Sequence, residues 1–286
     1  MLITDGPITN VSSEDYLGAL RYVVDEGVEV LYDSMLNTTE GRQLTHLKHS
    51  FALHRRMDFD TSCYNFWWHL VTDGEISDSG CMKTNAFWMN EMRSKIASRK
   101  FRQLFIPGTH DSASYKYNFD PNTMENLVTR YSLTQDDDIL SQLIHGIRYL
   151  DMRVGYYRSN SEKFWANHGI SRLHPLSDIL QQVKEFVDAT NEIVILDFQE
   201  FPVGFSGKSD VHRQFAFYLF QQLQDYGANP DLGWDSTLDE IWRAGNRIIV
   251  AYDHFGMVQN ENLGLLWQSV RHRWGKVKDG PESLEK

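Results

Sequence analysis

Four short apolar runs, each closing on polar residues, place the tightest condition on what this chain can fold into. Leu104-Phe105-Ile106 leads into Pro107-Gly108-Thr109-His110-Asp111-Ser112. Residues 146–154 carry Asp151 and Arg153, Trp165 to Gly169 carry His168, and residues 192–200 carry Asp197 and Gln199. Runs of this length and composition read as strands, at about 102–106, 146–154, 164–168 and 192–200, with a fifth at 247–252. Pro107 and Gly108 force the backbone out of the first strand. Loops mounted on buried strands are a common place for catalytic groups, and a His-Asp pair there suits general-base chemistry. Helical spacing fills the intervals. Ile139, Leu140, Leu143 and Ile144 precede the second strand, and Leu176 to Val187 precede the fourth. A long amphipathic stretch covers Val211 to Gln224, and Phe87 to Ile96 reads as a further helix. Strands alternating with helices argue for an α/β fold around a parallel sheet.

The 286 residues allow one large domain, or a medium one with a small companion. No run approaches the roughly 18 apolar residues of a membrane span. Met1 to Asp15 lack the basic and apolar regions of a signal peptide, so the chain reads as cytoplasmic or secreted without a choice between them. A formal net charge of −11 argues against a broad nucleic-acid footprint and against general attraction to anionic membranes. A lipid substrate stays open, because a local cationic pocket can sit in an acidic protein. Oligomeric state is not readable.

Residues 1–85 read as a small β-rich accessory region, and residues 86–286 as the main domain. Within the first, Ser12 or Ser13 is expected to cap a helix bearing Leu17, Leu20, Val23 and Val24, ended by Gly27. Val28, Val30 and Tyr32 alternate as a strand does. The strongest strand there is Cys63 to Val71, in which Trp67 and Trp68 face opposite sides. Cys63 and Cys81 flank the turn-like Thr72-Asp73-Gly74-Glu75, which leaves a cross-strand disulfide and two buried thiols equally open.

At the motifs above, from about Phe87 to about Trp274, the chain resembles the X domain of phosphatidylinositol-specific phospholipase C. More narrowly, it is similar to X-domain-containing proteins of animals and their bacterial relatives. The resemblance implies a (β/α) TIM-type barrel. A complete barrel of this kind takes about 250 residues, and only five strands are legible after Phe101, so the barrel is expected to be C-terminally incomplete. It also implies a phosphodiesterase that releases diacylglycerol and an inositol cyclic phosphate at a membrane surface.

The resemblance assigns roles residue by residue. His110 would be the base that activates the inositol 2-hydroxyl, and His168 the acid for the diacylglycerol oxygen. Arg153 would contact the phosphate, with Asp111 and Asp151 as supporting carboxylates. Calcium-dependent relatives carry Glu-x-Asp on the second strand and Asn after the first histidine. Here Asp151-Met152-Arg153 and Asp111 stand instead, so no metal and no cofactor is expected. Asp197 and Gln199 are candidate substrate contacts, although Gln199 matches neither the Glu nor the Lys of the two branches. Bacterial relatives orient the first histidine with a carboxylate from a late strand; no such strand is legible, so His110 is expected to lack that partner. His145 and Arg148 read as packing or solvation residues. Two other readings stand beside this one: an inactive X-domain protein that binds lipid or a protein, and a metal-dependent barrel phosphodiesterase, which Arg153 disfavours.

Overall fold

The computed structural model describes residues 1–4, 6–16, 19–26, 28–33, 59, 63, 66–116, 132–259 and 264–271. The chain divides into two compact units, Met1–Ala86 and Phe87–Lys286.

In the first unit, β1 (Leu2–Thr4), β4 (Val30–Asp33), β5 (Trp67–Thr72) and β6 (Glu75–Cys81) form an antiparallel sheet in the order β4-β1-β5-β6. Asp73 and Gly74, both at positive φ, close the two-residue turn between β5 and β6. Cys63 and Cys81 are joined in a disulfide. The helix expected from Ser12 to Val24 is instead a hairpin of β2 (Val11–Tyr16) and β3 (Ala19–Val24). Leu20, Tyr22 and Val24 satisfy a period of two, and the aromatic and β-branched run Tyr22-Val23-Val24 favours the strand. The expected end of that helix at Gly27, and most of residues 41–65, lie outside the described residues.

In the second unit, the sheet runs β10-β9-β8-β11-β12-β13, with β7 also beside β8. The strands are β7 (Gly108–Thr109), β8 (Tyr149–Tyr156), β9 (Phe164–His168), β10 (Ser171–Pro175), β11 (Val194–Val203), β12 (Ile248–Tyr252) and β13 (Leu266–Gln268). β7, β8, β11, β12 and β13 run parallel to one another, as the α/β reading requires. Two expectations fail. β9 runs antiparallel to β8, with β10 folding back on it, because an apolar run shows where a strand is and not which way it points. The run 102–106 begins inside a single 3₁₀ turn, Phe101–Gln103, its remaining residues are not a strand, and pairing begins only at Gly108. Among the described residues the sheet is not closed into a barrel.

The helices follow from their sequences. Phe87 to Ile96 gives two short pieces, α1 (Trp88–Glu91) and α2 (Arg93–Ile96). Asp138 caps α3 (Ile139–Ile144) by accepting from Ser141 N at 2.8 Å. α4 (Leu176–Thr190) buries Leu176, Ile179, Leu180, Val183, Phe186 and Val187 along one stripe, and Asn191 ends it in the left-handed conformation. α5 (Ser209–Leu223) and α6 (Leu238–Ala244) lie between β11 and β12, the latter held by a Thr237–Glu240 capping box. α7 (Phe255–Val258) leads toward β13.

On β8 the even residues Leu150, Met152 and Val154 are fully buried. The odd residues Tyr149, Asp151 and Arg153 occupy the other face. On that face the lower layer is apolar, with Ile195, Ile249, Ala251, Trp267 and Trp242 in one cluster and Tyr149 packed on it. The polar layer therefore stands on a packed base.

Candidate active site

The turn after β7 is fixed before any ligand enters. A Cβ on Gly108 would sit 2.9 Å from the Tyr149 ring and 3.1 Å from its carbonyl, so only glycine lets β7 approach β8 this closely. The Pro107 carbonyl accepts from Arg148 N at 2.9 Å. Thr109 Oγ1 lies 2.7 Å from Gln142 Oε1 and 2.7 Å from Ser112 Oγ. Gln142 Nε2 donates to the Ser112 carbonyl at 2.8 Å, and Ser112 N donates to the Asp151 carbonyl at 2.9 Å. Asp111 holds φ at +51°, and its N–H donates to Asp151 Oδ2 at 3.1 Å.

These restraints bring His110, Asp111, Asp151, Arg153 and His168 together. His110 Nδ1 lies 2.8 Å from Asp151 Oδ2. Since a carboxylate only accepts, Nδ1 carries the proton and Nε2 keeps its lone pair. The Arg153 guanidinium reaches Nε2 at 3.2 Å. It also lies 3.5 Å from Asp111 Oδ1, 3.7 Å from Asp151 Oδ2 and 3.2 Å from Glu200 Oε2. His168 Nδ1 donates to the Ser132 carbonyl at 3.0 Å, and its Nε2 faces Asp111 Oδ2 at 3.4 Å. The histidine side chains are 47% and 27% exposed, whereas Asp111 and Asp151 are buried, so the carboxylates support and the imidazoles face outward. Burial pushes the Asp111 carboxyl up from its ordinary range. Arg153 and His168 oppose that shift, and the Asp151 charge adds to it.

Asp151, on the strand next to β7, stands against His110 as an orienting carboxylate, a different partner from the late-strand one considered above. Asp197 and Gln199 are arranged differently from the cluster. Asp197 stands beside Asp151 in register on β11, yet its Oδ2 accepts from Tyr149 OH at 2.6 Å and from Val270 N at 3.4 Å. Burial, and after it the adjacent Asp197 carboxylate, push the Tyr149 phenol far up, which keeps it a donor. Gln199 Nε2 donates to the Val270 carbonyl at 3.1 Å. Both residues thus hold the segment after β13. Reading the motifs missed Thr109, Ser112, Gln142 and the Ser132 carbonyl; only Thr109 and Ser112 belong to a motif that pointed to them. Arg148 is buried and donates through Nε and a terminal nitrogen to the one oxygen Glu192 Oε2, in keeping with its packing role.

Fold and site together define a class: a mixed α/β protein presenting two carboxylate-backed histidines and one arginine on a mixed sheet. No family model matches the chain. Human PI-PLC X domain-containing protein 1 is 26% identical over 228 residues, covering 71% of this chain and 68% of that protein. Variant-surface-glycoprotein phospholipase C of Trypanosoma cruzi is 29% identical over 185 residues, covering 56% and 47%. A PI-PLC X-box domain-containing protein of Dictyostelium discoideum is 30% identical over 190 residues, covering 62% and 24%. The chain is a homologue of PI-PLC X domain-containing proteins, spanning about two thirds of the human relative and half or less of the other two. Among solved structures, a mutant of phosphatidylinositol-specific phospholipase C from Staphylococcus aureus superposes with a TM-score of 0.44 at 24% identity, over 58% of this chain and 52% of that one. No helix among the described residues is long and apolar enough to cross a membrane.

Proposed function

We propose that the protein cleaves a phosphodiester of the phosphatidylinositol type, releasing diacylglycerol and an inositol cyclic phosphate. The names of its relatives supply the substrate class. The observation that carries the chemistry is the pairing of each histidine with its own buried carboxylate, both carboxylates also approaching Arg153. In this reading Asp151 fixes the His110 tautomer, and Nε2 takes the proton of the inositol 2-hydroxyl. The hydroxyl oxygen attacks phosphorus and the bond to the diacylglycerol oxygen breaks. His168, protonated on Nε2 and held by the Ser132 carbonyl through Nδ1, returns a proton to that oxygen. Arg153 balances the charge that builds on the phosphoryl oxygens. The guanidinium already stands among Asp111, Asp151 and Glu200, which supports chemistry without a metal ion at that position. The same proposal takes the sheet as the corresponding part of a (β/α) barrel, with residues 1–85 as an accessory region.

The test is turnover of phosphatidylinositol in mixed micelles with EDTA present. Wild type is expected to release diacylglycerol, and His110→Ala and His168→Ala are each expected to lose about 10²- to 10⁴-fold. Loss of wild-type activity in EDTA would sink the metal-free mechanism. No turnover by a folded sample under any condition would favour a lipid- or protein-binding role without catalysis.

A further inference from the structure

A second site opens at the same end of the sheet as the histidines, on its other side. β8 ends at Tyr156, three residues and roughly 10 Å beyond Arg153. Tyr156 has the opposite parity to Arg153 and faces the α5 side, where its hydroxyl lies 3.4 Å from Gln214 Oε1. Here a cleft of about 690 Å³ is lined by Tyr156, Arg158, Lys163, Lys208, Ser209 and Asp210, among others. Arg158 and Lys163 come from the β8–β9 connection, and Lys208 from the loop between β11 and α5. None of these three cations makes an ion pair with a described residue. The single carboxylate of the lining, Asp210, is taken by Arg213. At the N-terminus of the 15-residue helix α5, Val211 N and His212 N donate to the Lys208 carbonyl, and the helix dipole adds to the positive potential.

Three cations that pair with no described residue and converge on one cleft are an unexpected arrangement in a chain of net charge −11. The rest of such a surface is repelled by an anionic bilayer, so attraction must be local. The three side chains are exposed on an open rim, which suits a headgroup presented by a surface better than a small ion sealed from water. We propose that this cleft binds the phosphate of an anionic membrane phospholipid that is not the substrate, and thereby turns the catalytic end of the sheet toward the bilayer. The orienting role rests on the phospholipase reading; the binding itself does not.

The test uses the full chain and sedimentation with vesicles of phosphatidylcholine alone, or of phosphatidylcholine with phosphatidylglycerol. Wild type is expected to prefer the mixed vesicles. The double variant Lys163→Glu/Lys208→Glu is expected to lose about tenfold or more in partitioning. Lys163→Gln/Lys208→Gln, which removes charge without adding repulsion, should fall in the same direction. His110→Ala should bind as wild type does, so a failed catalytic reading and a failed binding reading give different patterns. In turnover assays the lysine variants should slow on vesicles and keep wild-type rates on a water-soluble inositol phosphodiester. Equal partitioning of wild type and both lysine variants would overturn the proposal. So would a thermal shift with inorganic phosphate, lost in the lysine variants, in a protein indifferent to phosphatidylglycerol, since that would make it a free-phosphate site.

Discussion

His110 and His168 differ in what each ring nitrogen faces, and that difference assigns their proposed roles. His110 turns Nδ1 to a carboxylate and leaves Nε2 as a base, whereas His168 turns Nδ1 to a carbonyl and Nε2 to Asp111. Arg153→Lys keeps the charge but loses the planar fork that meets three carboxylates, so turnover is expected to fall roughly a hundredfold with little change in Tm. Asp111 gives the opposite pairing of effects. Its pKa is raised, so the ionised form is disfavoured in the folded state, and its favourable contribution exists at low pH and is lost as pH rises through the folded pKa. Asp111→Asn should therefore raise Tm at pH 7, a gain that vanishes below about pH 4, while lowering kcat. An unchanged Tm at pH 7 would argue against a strained carboxylate. At this scale the sequence named all five members of the cluster, because each belongs to a motif. It could not name Ser132, whose contribution is a carbonyl and independent of residue type.

Between elements, the join that holds the N-terminal helices of the second unit to the sheet is ionic and dry. Arg148 and Glu192 are both fully buried, and Glu192 also accepts from Met89 N at 3.0 Å and from Asn90 N at 2.8 Å. Removing one partner strands the other charge, so Glu192→Ala should cost about 3–5 kcal/mol in denaturant unfolding. A loss below about 1 kcal/mol would mean the pair is dispensable. The positions of β8, β11 and β12 were legible because strands covered on both faces are almost continuously apolar, as Ile193 to Leu196 are. The direction of β9 was not legible. It is set by the connection: the seven residues between Tyr156 and Phe164 are too few for a parallel crossover, a constraint that strand periodicity does not express.

For the molecule as a whole, acid is the sensitive direction. Burial pushes the His212 imidazole down from 6.5 to about 4, helped by the neighbouring His254, while its Nδ1 meets Tyr252 OH at 2.8 Å. Burial lowers His69 and His174 as well. The unfolded chain binds protons that these rings refuse, so stability present above about pH 6.5 is lost as pH falls toward 4. For His212 alone the span is on the order of 3 kcal/mol. His212→Phe should flatten Tm against pH across that window, and an unaltered slope would rule the residue out. In the first unit the disulfide closes a sequence separation of 18 residues. Reduction should cost that unit about 3 kcal/mol on loop entropy, read as a lower thermal midpoint in reducing buffer. The pairing itself was an open alternative in the sequence, since two cysteines at this spacing fit either state.

The backbone at position 111 also limits how this site can change by mutation. A φ of +51° is tolerated by glycine, asparagine and aspartate and strained for other residues. Asparagine and glycine are each one nucleotide away from an aspartate codon. The simplest drift at this position therefore removes the carboxylate without disturbing the turn. A lineage carrying it would keep its fold, its expression level and any lipid-binding surface, and would lose only the proposed chemistry. Protein abundance would not reveal such a loss; only a turnover assay would.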